Sequence, residues 1–120
     1  MSKHEHFIIP ITDNQFLVVI VWKHRRDYTK ATGSKGDACF VGTTIKNRYP
    51  LIGEVHFIRG LIGSGIVAHE LTHASRHFVR MHHMMKNEEY VCESIQVMTN
   101  GFWRLTRQNK RLNRWIYNAN

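Results

Sequence analysis

The chain has 120 residues, a formal net charge of +8 at pH 7 and a hydrophobic fraction of 42%. These values fit one folded domain over residues 1–120 with a modest core, and they exclude a disordered chain. The basic balance is compatible with nucleic-acid binding, whereas two cysteines are too few for a disulfide framework and favour reduced thiols. Pro10 interrupts the first apolar run, so we expect no secretory leader. The longest apolar run, residues 16–22, is too short to span a membrane, so we expect a cytoplasmic location.

Three short segments predict strands. Residues 16–22 (FLVVIVW) are β-branched and aromatic, as in a buried strand, and residues 38–46 (ACFVGTTIK) suit a second strand. Residues 54–59 (EVHFIR) alternate polar and apolar side chains, which is typical of a half-exposed strand. Residues 23–36 are polar and end in glycines, which indicates a loop or a frayed helical turn, and residues 49–53 are expected to form a turn.

Two helices should follow the strands. The first, residues 64–85, has an apolar stripe at helical spacing, formed by Val67, Leu71, Ala74, Phe78, Met81 and Met85. Asn87 suits the N-cap of the second helix, and Glu88 and Glu89 suit the positive end of its dipole. The apolar stripe of the second helix consists of Val91, Ile95, Met98, Phe102 and Leu105. We therefore expect an α+β fold in which a short mixed or antiparallel sheet packs on both helices.

The C-terminal segment, about residues 106–120, is basic and contains no acidic residue. A third helix can form here, anchored by Leu112, Trp115 and Ile116. Four arginines recur at helical spacing through this region, with Trp103 nearby: Arg104, Arg107, Arg111 and Arg114. Basic residues mixed with aromatic ones suit nucleic-acid phosphates and bases, although a solvated basic face explains the same pattern. Nucleic acid is therefore an alternative partner for this segment.

The motif His69-Glu70-Leu71-Thr72-His73 on the first helix predicts a metal site. A spacing of four residues puts both imidazoles on one helix face, one turn apart, where they can share one tetrahedral Zn²⁺. Both lie nearly opposite the apolar stripe, so the helix can pack one side into the core and turn the other towards a cleft. Glu70 lies about 100° further around the helix, outside the ligand set, and is the candidate general base for an attacking water.

A catalytic zinc ion usually has three protein ligands, so a third ligand is needed beyond the two histidines. Glu89 heads the polar face of the second helix, and two antiparallel helices can bring it to the metal. Glu93, one turn further, is then placed to orient His69 or His73 through the free ring nitrogen. Glu88 points about 100° away and is the alternative ligand. Capping of the helix dipole is the simpler role for Glu88 and Glu89.

An HExxH helix followed by a glutamate on the next helix resembles the gluzincin metallopeptidases, and the small size resembles the minigluzincins. Residues 54 to about 102 are also similar to short phage-encoded proteins with HExxHA and then DEExxAY, which here read HELTHA (69–74) and NEEYVCE (87–93). The resemblance implies a small zincin-like domain that uses Zn²⁺ to hydrolyse a peptide or protein substrate. Many gluzincins have an asparagine directly before the ligand glutamate, which favours Glu88, so the choice between Glu88 and Glu89 stays open.

The resemblance also implies a place for the substrate. In this clan, the strand before the active-site helix usually binds the substrate main chain, and that place is taken here by Glu54, Val55, His56 and Phe57. An edge strand can do this because its unpaired N–H and C=O groups are free to bind an extended peptide. An ordinary edge strand, protected by the charges of Glu54 and Arg59, is the competing interpretation.

Two other functions are compatible with the motif. Peptide deformylases combine HExxH with an upstream cysteine ligand, and Cys39 precedes His69, so a deformylase-like amide hydrolase is a lesser alternative. A catalytically silent metal-binding module that docks a protein or nucleic acid is the main alternative, because no stabiliser of a reaction oxyanion is evident. By proximity alone, the candidates for that stabilising role are His77, Tyr90 and Arg104.

Overall fold

The computed structural model describes residues 3–44 and 49–117. In these ranges the chain forms four strands and four helices, in the order β1 (His4–Pro10), β2 (Phe16–Trp22), α1 (Arg25–Thr32), β3 (Ala38–Gly42), β4 (Leu51–Ile58), α2 (Ser64–Met81), α3 (Glu88–Gln108) and α4 (Lys110–Tyr117). The predicted α+β class is confirmed. None of the described helices is long and apolar enough to cross a bilayer.

The four strands form one mixed sheet in the order β1-β2-β4-β3. β1 is antiparallel to β2, β2 is parallel to β4, and β3 is antiparallel to β4. β2 and β4 are therefore the inner strands, and β1 and β3 are the edges of the described sheet. A parallel pair of strands needs a long crossover connection. Between β2 and β4 the chain that makes this crossover contains α1 and β3.

One hydrophobic core joins the sheet to the helices. On β2, every second residue is fully buried (Leu17, Val19 and Val21), as the alternation of side chains along a strand requires. Phe57 of β4 contacts Phe102 of α3 with ring centroids 5.5 Å apart. The buried apolar residues of α2 belong to the same cluster: Val67, Leu71, Ala74, Phe78, Val79 and Met81. The apolar stripe predicted for the first helix is thus the side that α2 buries.

The ends of α2 and α3 follow from local backbone bonds. α2 ends at Met81, four residues before the predicted end, because the amide of His82 already bonds to carbonyls in the last turn and His83 adopts a left-handed φ of 56°. Asn87 caps α3 as predicted, since its side chain accepts a hydrogen bond from the Tyr90 amide at 2.9 Å. The α2–α3 connection is consequently short, and the two helices pack together.

The sheet region differs from the sequence predictions at several points. Residues 4–10 form β1, which was not predicted. Residues 23–36, predicted as a loop or a frayed helical turn, contain the eight-residue helix α1. The predicted turn at 49–53 is wrong, because β4 already begins at Leu51. The strand predicted at 54–59 is observed within β4, but its predicted edge position is wrong, since β4 pairs with β2 on one side and β3 on the other. Of the predicted strand 38–46, Ala38–Gly42 is observed and residues 45–46 lie outside the described ranges.

The C-terminal helix is partly core structure. α4 buries Leu112 completely, and Trp115 and Ile116 pack against the same core, so the three predicted anchors serve that purpose. Arg111 of α4 also pairs with Glu5 of β1 at 2.8 Å. The apolar side of the basic segment therefore holds it to the domain, while residues 118–120 lie outside the described ranges.

A substitution at Gly101 of α3 measures how tightly this helix packs on the sheet. A Cβ atom at this position would lie 2.6 Å from Cγ2 of the buried Ile9. We expect Gly101→Ala to lower the free energy of unfolding by about 1–2 kcal/mol, because overpacking outweighs the gain in helix propensity. Urea denaturation measures this change. Gly65→Ala in the first turn of α2 is the control, since nothing lies within 4 Å of its Cβ position and no loss is expected.

His56 of β4 makes stability depend on pH. It is 4% exposed, accepts a hydrogen bond from Trp22 Nε1 at 3.0 Å, and lies 3.0 Å from Glu54 Oε1. Burial lowers the pKa of His56, although Glu54 opposes the shift. As the pH falls, the His56 ring is therefore protonated in the unfolded chain before it is protonated in the folded one. Stability is lost as the pH falls below about 6.5 towards the folded-state pKa.

The predicted slope of unfolding free energy against pH is up to about 1.4 kcal/mol per pH unit for this one proton. His56→Gln should reduce the slope between pH 7 and 5, as measured by urea denaturation at several pH values. His6→Gln removes an exposed histidine as the control. An unchanged slope in His56→Gln would contradict the assignment.

Candidate metal-binding cleft

A cleft of about 460 Å³ lies between α2 and the edge strand β3. Its lining comes from one side of the helix and the first three residues of the strand: Ala38, Cys39, Phe40, His69, Glu70, His73, Arg76, His77 and Arg80. The core fixes the opposite side of α2, so the polar side is held facing β3. All three residues of the HExxH motif that carry chemistry therefore open into one cleft.

His69 and His73 lie side by side on the exposed face of α2. Their Nε2 atoms are 3.2 Å apart, and their rings meet edge to face with centroids 4.8 Å apart. Two nitrogens bound to one tetrahedral zinc ion at about 2.0–2.1 Å are separated by about 3.3–3.4 Å. The separation of the two nitrogens therefore matches two coordination positions of one zinc ion, and in the absence of metal it also allows a direct hydrogen bond between the rings.

Glu70 lines the same cleft but is only 7% exposed. Tyr28 of α1 lies on its buried side. Burial raises the pKa of Tyr28 to about 12, and the neighbouring Cys39 and Glu70 contribute in the same direction. The Tyr28 hydroxyl donates to Ser34 Oγ at 2.9 Å. Tyr28 thus stays protonated at neutral pH close to Glu70. The Glu70 side chain lines the cleft and also an adjoining groove beside Asp37 and Gly65.

The structure does not bring the predicted third ligand to the histidines. In residues 3–44 and 49–117, no group of three or more His, Cys, Asp or Glu side chains is placed to hold one metal ion. Glu89 and Glu93 are exposed on α3 and do not line the cleft, and no hydrogen bond of the described residues joins Glu93 to either histidine. Glu88 is exposed at a separate groove beside the α2–α3 connection.

The position of α3 explains this separation. α3 packs on the side of α2 that carries Ser75 and Phe78: Ser75 Oγ donates to the Val91 carbonyl at 3.3 Å, and Phe78 stacks on Tyr90 with centroids 5.8 Å apart. Ser75 is two residues beyond His73, a rotation of about 200°, so the two side chains point about 160° apart around the helix. The prediction of Glu89 needed the polar faces of α2 and α3 to meet, whereas α3 lies almost behind the histidines.

The predicted substrate strand occupies a different place from the one expected. Glu54, Val55, His56 and Phe57 belong to the inner strand β4, where β2 and β3 already use the main-chain hydrogen bonds. Val55 and Phe57 are in the core. The free main-chain edge beside the histidines belongs instead to β3. Sequence reasoning identified a strand at 38–46 but had no signal for its position in the sheet.

His77 is the one predicted oxyanion candidate that lines the cleft. Its ring packs edge-on against Phe40 with centroids 5.5 Å apart and lies so close to Gly42 that a Cβ there would be 2.6 Å from Cε1. Nε2 is buried without a hydrogen-bond partner in the described part of the chain. Burial lowers the pKa of His77, and Arg80 acts in the same direction, while a hydrogen bond to the Thr43 backbone opposes them. The ring is therefore held in its neutral form against β3.

The other two oxyanion candidates lie elsewhere. Tyr90 stacks on Phe78 at the α2–α3 interface, and Arg104 is exposed on α3, and neither lines the cleft. Cys39, the ligand of the deformylase-like alternative, does line it and is half-buried. The cleft thus contains His69, His73, Glu70, His77 and Cys39.

Comparison with protein-family models, with curated proteins and with solved structures finds no match for the chain. The interpretation of the cleft therefore depends on its own residues and their geometry.

Zinc affinity tests the histidine pair. We expect the wild-type protein to bind one zinc ion, and His69→Ala or His73→Ala to weaken binding by at least about tenfold, because outer-shell substitutions alone can cost this much. Competition with a chromophoric chelator measures the affinity. His24→Ala removes an exposed histidine that makes no capping hydrogen bond and should bind zinc like the wild type. Equal zinc affinity in all four proteins would contradict the assignment.

The same assay identifies the third ligand. If the packing of α3 persists in the zinc-bound protein, Glu89→Ala keeps wild-type affinity. A loss equal to that of the histidine variants would show that α3 repositions around the metal. Cys39→Ala tests the cysteine of the cleft in the same way.

Proposed function

We propose that the chain is a zinc-dependent peptide-bond hydrolase, with His69 and His73 holding the metal and Glu70 as general base. The observation that supports this proposal is the arrangement of the three side chains: two imidazole nitrogens 3.2 Å apart, and a carboxylate that opens into the same cleft. A purely structural two-histidine site has no need of a carboxylate at this position. Glu89, the third ligand predicted from the sequence pattern, lies on α3 outside the cleft, so the proposal depends on His69, His73 and Glu70 alone.

The chemistry divides between the metal and the chain. A bound Zn²⁺ supplies a Lewis acid that polarises the scissile carbonyl and makes a water acidic. Glu70 accepts the proton of the attacking water and later delivers it to the leaving amine. Glu70 lines the cleft next to both histidines, so it would exchange the proton beside the position proposed for the peptide. His77 also lines the cleft, where its neutral ring, with Nε2 buried against β3, forms part of the wall beside the histidine pair.

The substrate main chain has a natural position on β3. β3 pairs only with β4 in the described sheet, so its outer edge offers unpaired N–H and C=O groups. The strand also forms one wall of the cleft opposite the histidines. A peptide that extends the sheet at this edge is carried past His69, Glu70 and His73 in an extended conformation. The edge of β3 thus takes the place of residues 54–57 on β4 as the proposed binding position for the substrate main chain.

A specific observation favours the deformylase-like alternative as second candidate. Cys39 is half-buried in the wall of the cleft that also contains His69 and Glu70, so a cysteine is available as ligand for an amide hydrolase. The two candidates share Glu70 and differ in the third ligand and the substrate. A metal-binding module that docks a protein or nucleic acid remains the outcome if no amide bond is cleaved.

Glu70→Gln tests the reaction. Because Glu70 is not a ligand, the variant should keep its fold and its zinc, and its cleavage rate should fall by about 10²–10⁴-fold. The assay incubates both proteins, loaded with zinc, with a broad peptide library and identifies the products by mass spectrometry. N-formylated peptides in the same library detect the deformylase-like activity.

The matched control is Glu93→Gln, which makes the same chemical change at an exposed position outside the cleft. It should cleave at a rate close to that of the wild type. Equal cleavage by wild type and Glu70→Gln, or none by the zinc-loaded wild type, would refute the hydrolase proposal and leave the binding module.

A further inference from the structure

Beyond the two histidines, the α2 wall of the cleft carries two arginines on either side of the neutral His77. Arg76, His77 and Arg80 line it together with His73. These three residues follow His73 by three, four and seven positions. Their side chains therefore fall within one arc of about 100° around the helix, on the same face as His73. Arg76 and Arg80 are exposed, whereas His77 is held against β3. The floor of the cleft next to the metal pair is therefore cationic.

The two arginines have no acidic partner within the described ranges. The ion pairs there involve Lys3, Arg25, His56 and Arg111, each with a carboxylate. Glu70 is the only acidic residue that lines the cleft, and it belongs to the catalytic group. Two guanidinium groups thus face the cleft without a carboxylate partner among the described residues.

The spacing of the arginines sets where they act on a peptide. With a rise of about 1.5 Å per residue, Arg76 and Arg80 lie about 4.5 and 10.5 Å beyond His73 along α2. An extended peptide advances about 3.3 Å per residue, so these distances cover about one to three residues. β3 passes the same row, since Phe40 and Gly42 both contact His77. A peptide on the edge of β3 would therefore carry its side chains over the arginines.

We infer that the cleft selects an acidic peptide, with an Asp or Glu side chain within three residues of the scissile bond bound by Arg76 and Arg80. The inference deepens the proposed hydrolase function and rests on it for the position of the scissile bond. A guanidinium group suits this task because its planar donors match a carboxylate bidentately. Exposed ion pairs are weak individually, so two of them should give a preference of about 3- to 30-fold.

The experiment compares matched peptides that differ only by Glu or Gln at each of the three positions on either side of the cleaved bond. Wild type should cleave the best Glu peptide about 3- to 30-fold more efficiently than its Gln counterpart, and high salt should reduce this ratio by screening. Arg76→Gln/Arg80→Gln should lower the ratio to about one. Arg76→Glu/Arg80→Glu should invert it in favour of a Lys peptide. Arg26→Gln/Lys30→Gln on α1 removes the same charge at exposed positions outside the cleft and should keep the wild-type ratio.

A binding arm separates this inference from the hydrolase proposal. Fluorescence anisotropy of the labelled Glu and Gln peptides, and of a single-stranded oligonucleotide, is measured with Glu70→Gln and with Glu70→Gln/Arg76→Gln/Arg80→Gln. Preferential Glu binding that the arginine substitutions abolish supports the inference even where no peptide is cleaved, which refutes only the hydrolase. Cleavage without a Glu preference refutes only the inference. Oligonucleotide binding that depends on Arg76 and Arg80, with equal binding of both peptides, overturns it in favour of a nucleic-acid surface.

Discussion

The burial of one side of α2 against the sheet is the constraint on which the candidate site depends. Leu71, Ala74 and Phe78 are almost wholly buried, and each large apolar side chain contributes about 1.5–3 kcal/mol when it leaves water. Rotating the helix by one residue would expose part of this set. The rotation of α2 is therefore fixed by the core, and so is the direction in which His69 and His73 point. The metal pair needs no support from loops.

The same constraint decides which neighbours the histidines have. Ser75 and Phe78 lie on the side of α2 that receives α3, where the Ser75 and Ser94 hydroxyls are in close contact and Phe78 stacks on Tyr90. β3 lies on the other side, where Gly42 leaves space for the His77 ring. The cleft thus has a strand edge for one wall and a helix for the other. This arrangement would allow the proposed main-chain recognition and the proposed metal binding to share one site.

What could be predicted from the sequence is local. The β-branched and aromatic run of residues 16–22, the apolar stripe of α2 and the Asn87 cap are encoded within one element each, and all three are observed. The HExxH pair is equally local, because four residues of helix bring the imidazoles together. The order of the strands, the edge position of β3 and the side of α2 that α3 covers are set by long-range packing. The expectations for Glu89 and for β4 depended on this long-range packing. The structure instead places Glu89 outside the cleft and β4 inside the sheet.

Zinc-edge anomalous diffraction from crystals of the zinc-loaded protein tests the central claim most directly, because it locates the metal without reference to activity. We predict one strong peak in the cleft between α2 and β3, about 2.0–2.1 Å from a ring nitrogen of both His69 and His73. The atoms that complete the coordination would identify the third ligand. A peak at other histidines, or no ordered peak at full zinc occupancy in solution, would contradict the account.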